Sequence, residues 1–206
     1  MLKFERLDAP AAPLDAPNVD TDQIIPARFL WRPRADGYGE LLFNDIRTAE
    51  DGAPKPDFVL NRPENKDAKI LVADRNFGCG SSREHAVWAL LDAGIRVVIA
   101  PSFGDIFFNN ALKNGLLPVV LPEARCTTLR AALRRAPGAR LSVDLDSQTI
   151  SGPEGVNDGG GADNFEIDPF RKQLLLSGMD DITFTLNQAD RISAFEARYR
   201  TEMPWV

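Results

Sequence analysis

The sequence predicts an α/β fold with a layer of parallel strands, and three observations carry that expectation. Between Lys69 and Gly138, short apolar runs of strand length alternate three times with helical stretches. Glycine or proline stands at the close of those helices: Gly94, Gly115 and Pro137-Gly138. A length of 206 residues, 44% hydrophobic and 26% charged, is enough to bury one sizeable core without disulfides or metals.

Residues 7–68 read as irregular and strand-poor. The stretch from Ala9 to Pro17 carries three prolines, and proline suits neither helix interiors nor central strands. At Lys69 the pattern changes. Lys69 to Ala73 is an apolar run of buried-strand length, followed by the turn Asn76-Phe77-Gly78-Cys79-Gly80. A helical stretch from Ser82 to Ala93 places Ala86, Ala89, Leu90 and Ala93 on one face. Ile95 to Ala100 is a second strand, Pro101-Ser102-Phe103 a turn, and Asp105 to Lys113 a helix. Leu116 to Leu121 is a third strand despite Pro118, and Glu123 to Arg135 a third helix. This alternation implies parallel pairing through right-handed crossovers.

Beyond Arg140 the rhythm shifts. Leu141 to Leu145 alternates with period two, as a half-exposed strand does. Gly152 to Ala162 is a glycine-rich loop, and Asn164 to Ile167 is the expected partner strand of a hairpin. Pro169 to Ser177 is a short helix, Ile182 to Leu186 a strand, and Ala189 to Tyr199 a final helix. Ile192, Phe195 and Tyr199 mark the packed face of that last helix. With no internal repeat and no segment long enough to be a linker, residues 1–206 are expected to form a single domain.

Composition removes several function classes. Twenty-four Lys and Arg stand against thirty Asp and Glu, a net charge of −6 that repels polyphosphate, so no nucleic-acid partner is expected. No apolar run approaches the ~20 residues of a membrane helix. The start, Met1-Leu2-Lys3-Phe4-Glu5-Arg6, lacks an apolar signal core, so a cytoplasmic address without membrane contact is expected. Cys79 and Cys126 form no Cys-x-x-Cys, and His85 is the single histidine. A zinc ribbon, a two-histidine metal site and a self-contained iron–sulfur site, which wants about four thiolates, are excluded. Any metal chemistry would need another chain to bring the metal.

The sharpest constellation is Asn76-Phe77-Gly78-Cys79-Gly80-Ser81-Ser82-Arg83-Glu84-His85, between a strand and a helix. The glycines permit a tight turn and a close approach to a ligand. Ser81 and Glu84 match a capping box, and the N–H groups of a helix start favour an anion such as a carboxylate. Arg83 adds a two-donor grip on the same group. A capped helix carrying a surface arginine is the plainer alternative. The segment is no phosphate loop, dinucleotide fingerprint or nucleophile elbow. His85 in a first helical turn reads as a structural hydrogen-bonder rather than the partner of Ser81. Asn18-Val19-Asp20-Thr21-Asp22-Gln23-Ile24-Ile25-Pro26 is a second constellation, lacking the glycine and closing glutamate of a calcium loop. The third, Pro101 to Asn110, lies at the same strand edge as the Ser81 turn, so the two turns should face one cleft.

Together, Asn18 to Pro26, Asn76 to Ala86 and Ala100-Pro101-Ser102-Phe103 resemble the small-subunit family of 3-isopropylmalate dehydratases, within the aconitase superfamily. The resemblance runs from Phe4 to about Tyr199. It implies a layered β/β/α fold like the mobile swivelling C-terminal domain of aconitase. It also implies a hydro-lyase of leucine biosynthesis that interconverts 2- and 3-isopropylmalate by dehydration and rehydration. The cofactor implied is a [4Fe–4S] cluster carried by a large partner subunit, with none bound by this chain. By the same resemblance Ser81 is the base that takes a proton from carbon, and Asp22 helps organise the site. Arg83 with Ser82 binds a substrate carboxylate. Leu30 belongs to the loop after Pro26 where substrate preference resides, and Phe29, Leu30 and Trp31 offer it apolar surface. The family's second substrate arginine falls among Arg28, Arg32 and Arg34, and its position stays open. Cys79 inside the motif reads as a small packing residue. Related substrates such as citraconate, 2-methylmalate or homocitrate, or a non-enzymatic carboxylate-binding module, are the alternative readings.

Overall fold

The computed structural model describes residues 1–152, 161–203 and 205. Its strands are β1 (Arg6–Pro13), β2 (Ile70–Val72), β3 (Val97–Ala100), β4 (Leu117–Val120), β5 (Arg140–Asp144), β6 (Thr149–Ser151) and β7 (Asp163–Asn164). Its helices are α1 (Thr21–Ile24), α2 (Asn44–Arg47), α3 (Glu84–Asp92), α4 (Asp105–Asn114), α5 (Glu123–Arg135), α6 (Pro169–Ser177), α7 (Asp181–Leu186) and α8 (Ala189–Glu202). The strands form one sheet in the order β4-β3-β2-β1-β5-β6-β7. The β4-β3-β2-β1 half is parallel and the β1-β5-β6-β7 half antiparallel, a mixed α/β architecture.

The parallel half follows from the apolar runs. Leu71, Val98 and Ala100 face a core shared with α3, Phe107 and Ala111 of α4, and the segment Tyr38 to Phe43. Their neighbours Ile70, Val72, Val97 and Ile99 face a second core with Cys126, Leu129 and Leu133 of α5 and Leu141 and Val143 of β5. Strands buried on both faces need near-continuous apolar sequence, which is why they read so plainly. Pro118 is accommodated because β4 lies at the sheet edge.

Elsewhere the structure corrects the sequence reading. The supposedly strand-poor start contains β1, the middle strand of the sheet, with Pro10 and Pro13 inside it. The strand changes partner at that point: Arg6 to Pro10 lie opposite β5, and Ala11 to Pro13 opposite β2. Pro10 contributes only its carbonyl, which accepts from the Lys69 N–H at 3.1 Å, and Ala11 supplies the next donor, to Ala139 at 2.9 Å. The partner of β5 in its hairpin is β6, not the segment from Asn164; β7 pairs with β6 in turn. Of the glycine-rich loop, residues 153–160 lie outside the described residues.

Ile182 to Leu186 is helical rather than extended. The Asp180 carboxylate accepts from the Thr183 N–H at 2.6 Å and caps α7, so local capping overrides the β-branched alternation. No side chain of α8 is buried, and Phe195 is 53% exposed; the apolar spacing on that helix marks no packed face among the described residues. Ala93 is likewise exposed, after the end of α3.

One buried cation ties the layers. Arg130 of α5, 6% exposed, donates to the Ala73 carbonyl at 2.8 Å, to Asp74 at 2.9 Å and to Asp15 at 3.1 Å. It thereby joins α5 to the chain just beyond β1 and β2. Removing one member of a buried charge network costs about 3–5 kcal/mol, so Arg130→Met should lower the urea midpoint sharply. Arg134→Met, at an exposed ion pair with the same Asp15, should cost under about 1 kcal/mol.

Candidate functional site

The turn that leaves β2 is held from both sides by backbone hydrogen bonds. On one side Gly78 N–H donates to the Val19 carbonyl at 2.7 Å, and Thr21 N–H donates to the Cys79 carbonyl at 2.9 Å. On the other, Phe77 N–H donates to Ser102 at 3.1 Å, and Gly104 N–H donates to Phe77 at 2.9 Å. Side chains reinforce both seams. Asn76 Nδ2 donates to Asn18 Oδ1 at 2.9 Å, and Asn76 N–H donates to Ser102 Oγ at 2.9 Å. All three segments singled out in the sequence therefore meet at one edge, the carboxyl end of the parallel strands.

Gly78 is demanded by packing more than by ligand approach. At φ +73° its missing Cβ would stand 2.2 Å from Cγ of Phe107. Phe77, Phe103 and Phe107 form a ring cluster beneath the turn, with Phe77 edge-on to Phe107 at 5.3 Å. Gly104 meets the same turn so closely that a Cβ there would lie 2.5 Å from the Gly78 carbonyl oxygen.

The capping box is not formed. The helix starts at Glu84, with Arg83 extended at its N-cap and no side-chain cap. Buried Thr21 explains this: its Oγ1 donates to the Ser81 carbonyl at 2.8 Å and holds Ser81 outside the helix. Glu84 instead accepts from Asn114 Nδ2 at 2.7 Å, and Asn114 Oδ1 accepts from Trp88 Nε1 at 3.0 Å. Thr21 is a residue the sequence reading passed over; its place between two aspartates in the Asn18–Pro26 motif was the available signal.

Ser81 and Ser82 are exposed. Among the described residues no acceptor meets the N–H groups of Ser81, Ser82 or Arg83. Arg83 is largely covered, 15% exposed, and its Nη1 lies against Asp22 Oδ1, whose side chain is 56% exposed. The hydrogen bond and charge of Arg83 hold the Asp22 carboxyl below the ordinary carboxylate value. Asp20 caps α1, its Oδ1 accepting from Gln23 N–H at 2.7 Å. The result is a surface serine and free amides beside a preset guanidinium, an arrangement suited to an organic anion.

His85 packs between aromatic rings, 5.5 Å from Tyr38 and 4.7 Å from Trp88, with no hydrogen bond to Ser81 among the described residues. The loop after Pro26 is divided. Phe29 and Leu30 are half-buried against the core, whereas Trp31 is 80% exposed. Arg28 is engaged by Asp45 and Asn44, and Arg34 lies over Trp88 and 3.6 Å from Asp92. Arg32 has no carboxylate partner among the described residues, while its carbonyl accepts from the Tyr38 hydroxyl at 2.5 Å.

Cys79 and Cys126 both sit as protonated thiols. Burial and nearby Asp20 push Cys79 up, and burial pushes Cys126 up to about 11. Among the described residues no three His, Cys, Asp or Glu side chains gather as a cation site, and Arg28, Arg83 and Arg130 hold the nearby carboxylates.

Comparison with known proteins gives the family. Residues 1–124 match the aconitase C-terminal domain model. Residues 127–169 match the LeuD_N model, and residues 181–206 the C-terminal domain model of 3-isopropylmalate dehydratase small subunits. The chain is 54% identical, over its whole length and 98% of the relative's, to a 3-isopropylmalate dehydratase small subunit of Rhodospirillum centenum. It is 53% identical over the full length of both chains to the namesake of Paramagnetospirillum magneticum. The solved 3-isopropylmalate dehydratase of Methanocaldococcus jannaschii superposes with a TM-score of 0.59 at 25% identity, covering 93% of this chain and 99% of that one.

The Asp22–Arg83 pair makes a titration testable in the free chain. Because the folded pKa of Asp22 is depressed, the pair is intact at neutral pH and is lost as pH falls through that lowered value. Arg83→Gln should return the Asp22 pKa toward about 3.9, measured by NMR titration of its side-chain carboxyl carbon.

Proposed function

We propose a division of labour within the catalytic site from the premise that this chain belongs to the family of 3-isopropylmalate dehydratase small subunits. Such a subunit implies a large partner, and the enzyme is a hydro-lyase of leucine biosynthesis. In our reading it interconverts 2- and 3-isopropylmalate, with this chain supplying the proton-transfer group and one carboxylate anchor. The observation that carries the reading is exposed Ser81, two residues before a covered Arg83 that Asp22 already orients.

Aconitase-superfamily membership implies a [4Fe–4S] cluster in the complex. The donors of this chain do not fit one: two protonated thiols, neither among gathered ligands within the described residues, fall short of about four thiolates. We accordingly assign the cluster to the large subunit. Ser81 Oγ takes the proton from the carbon next to a carboxylate, and departure of the hydroxyl from the neighbouring carbon belongs to the partner's half. An alkene results, and return of the proton from Ser81 to the other carbon accompanies rehydration in the opposite sense.

A serine hydroxyl is a poor base unless its anion is stabilised. The free amides of Ser81 to Arg83 and the Arg83 charge supply that stabilisation. Arg83 and the Ser82 hydroxyl take one substrate carboxylate, with Asp22 setting the guanidinium in place. Arg32, the one of the three loop arginines without a carboxylate partner among the described residues, is our choice for the second carboxylate. Leu30 on the same loop faces the isopropyl group. We further infer that residues 1–206 act as one unit, in the cytoplasm and away from nucleic acid and membranes. A net charge of −6 favours this reading, and no helix among the described residues is long and apolar enough to cross a membrane.

Two variants in the reconstituted complex test these roles. Ser81→Ala should lower kcat at least ~100-fold, the usual contribution of a positioned proton-transfer group. It should leave stability within about 0.5 kcal/mol, as befits an exposed side chain. Half of the wild-type kcat in that variant, by alkene absorbance on 2-isopropylmalate, contradicts the role. Arg83→Lys should mainly raise KM, since a point charge replaces a planar fork.

Leu30→Phe tests the specificity loop. The ratio of kcat/KM between isopropylmalate and citraconate hydration should shift by roughly 10-fold, the scale of one or two methylenes in an apolar pocket. Equal loss on both substrates would show the loop to be structural only.

A further inference from the structure

At the opposite end of the parallel strands from Ser81 lies a cleft of about 500 Å³ that the proposed reaction does not use. Leu2 and Leu91 give it apolar walls, and Arg34, Asp92, Arg96 and Lys113 are among its charged lining. Arg96 stands immediately before β3, whose far end leads to Ser102 and Phe103 at the site; the four strand residues between span ~13 Å.

Most polar groups in this cleft already have partners. Arg34 and Asp92 form an ion pair at 3.6 Å, and Asp92 also accepts from the Tyr38 N–H at 3.2 Å. The Asn114 side chain is shared among Trp88, Glu84 and Asn110, and the Asp180 carboxylate caps α7. Arg96 and Lys113 differ. Neither has a carboxylate within ion-pair distance among the described residues. Arg96 Nε is sealed from solvent without an acceptor, and among the described residues its guanidinium meets only the Phe4 ring, 5.9 Å away.

The carbonyl ends of α3 and α4 close at the same edge and help to hold cations there. They leave Arg96 Nε without an acceptor. A half-buried guanidinium lacking a counter-charge is a costly arrangement in a finished structure, and burial accordingly lowers its pKa. An anion held in the cleft would supply the guanidinium with the counter-charge it lacks, and Leu2 and Leu91 favour one that carries an aliphatic body.

We propose that this cleft binds a small aliphatic carboxylate, gripped by Arg96 and Lys113 with its hydrocarbon against Leu2 and Leu91. Arg34 and the Asp92–Tyr38 contact, both in or beside the cleft wall, connect it to the loop that carries Leu30. The proposal is independent of the role of Ser81.

The test is a titration of the full-length chain with 4-methylpentanoate, acetate and inorganic phosphate, followed by amide NMR shifts. The 4-methylpentanoate should move Leu2, Leu91, Arg96 and Lys113 amides saturably, with a Kd at least tenfold below those of acetate and phosphate. Arg96→Gln should weaken binding at least tenfold. Lys113→Gln, at an exposed position that cannot disturb the core, should weaken it severalfold. Ser81→Ala should bind as wild type, which separates this site from the proposed reaction site. Absence of saturable shifts in the wild-type chain would overturn the proposal. Equal affinity for phosphate would overturn it too, as would wild-type binding by both Arg96→Gln and Lys113→Gln.

Discussion

The backbone hydrogen bonds that grip Phe77, Gly78 and Cys79 between residues 19–21 and 102–104 are the constraint on which the rest of this site depends. A loop at the end of a parallel strand has no ladder of its own. Here it borrows two, from the segment after β1 and the segment after β3. Satisfying its amides in this way fixes the position from which Ser81 and Arg83 emerge. The three Phe rings below the turn give those bonds a dry floor, and Gly78 is the concession that lets Phe107 lie flush against it.

Two properties of the site follow. The groups with chemical use are left free: the amides of Ser81 to Arg83 have no partner among the described residues, and the Ser81 and Ser82 side chains face solvent. The charged group is held ready, because Asp22 covers Arg83 without neutralising all its donors. A guanidinium already oriented in this way would lose less side-chain entropy on gripping an anion than a free one.

The parallel half of the fold was legible because strands buried on both faces write themselves as unbroken apolar runs, as Ile70 to Val72 and Val97 to Ala100 do. The motifs of the candidate site were legible for a different reason. Gly78, Ser81, Arg83 and Asp22 lie in two compact motifs, and folding only had to bring those motifs together. What the sequence concealed was set by partners distant along the chain. Thr21 undoes the Ser81–Glu84 box from sixty residues away. β1 tolerates Pro10 because it exchanges β5 for β2 at that residue. Ile182 to Leu186 has the composition of a strand, but the decisive residue was Asp180 just ahead of it. The apolar spacing of α8 suggested a packed face that the described residues do not supply.

Hydrogen exchange in the free chain tests the central claim most directly. If the turn is preorganised, the amides of Thr21, Phe77, Gly78 and Gly104 exchange as slowly as those of β2 and β3, while Ser81, Ser82 and Arg83 exchange at rates near those of an open chain. Protection of the first group absent until the large subunit is added would contradict the account, since the partner and not the two flanking segments would then be building the site.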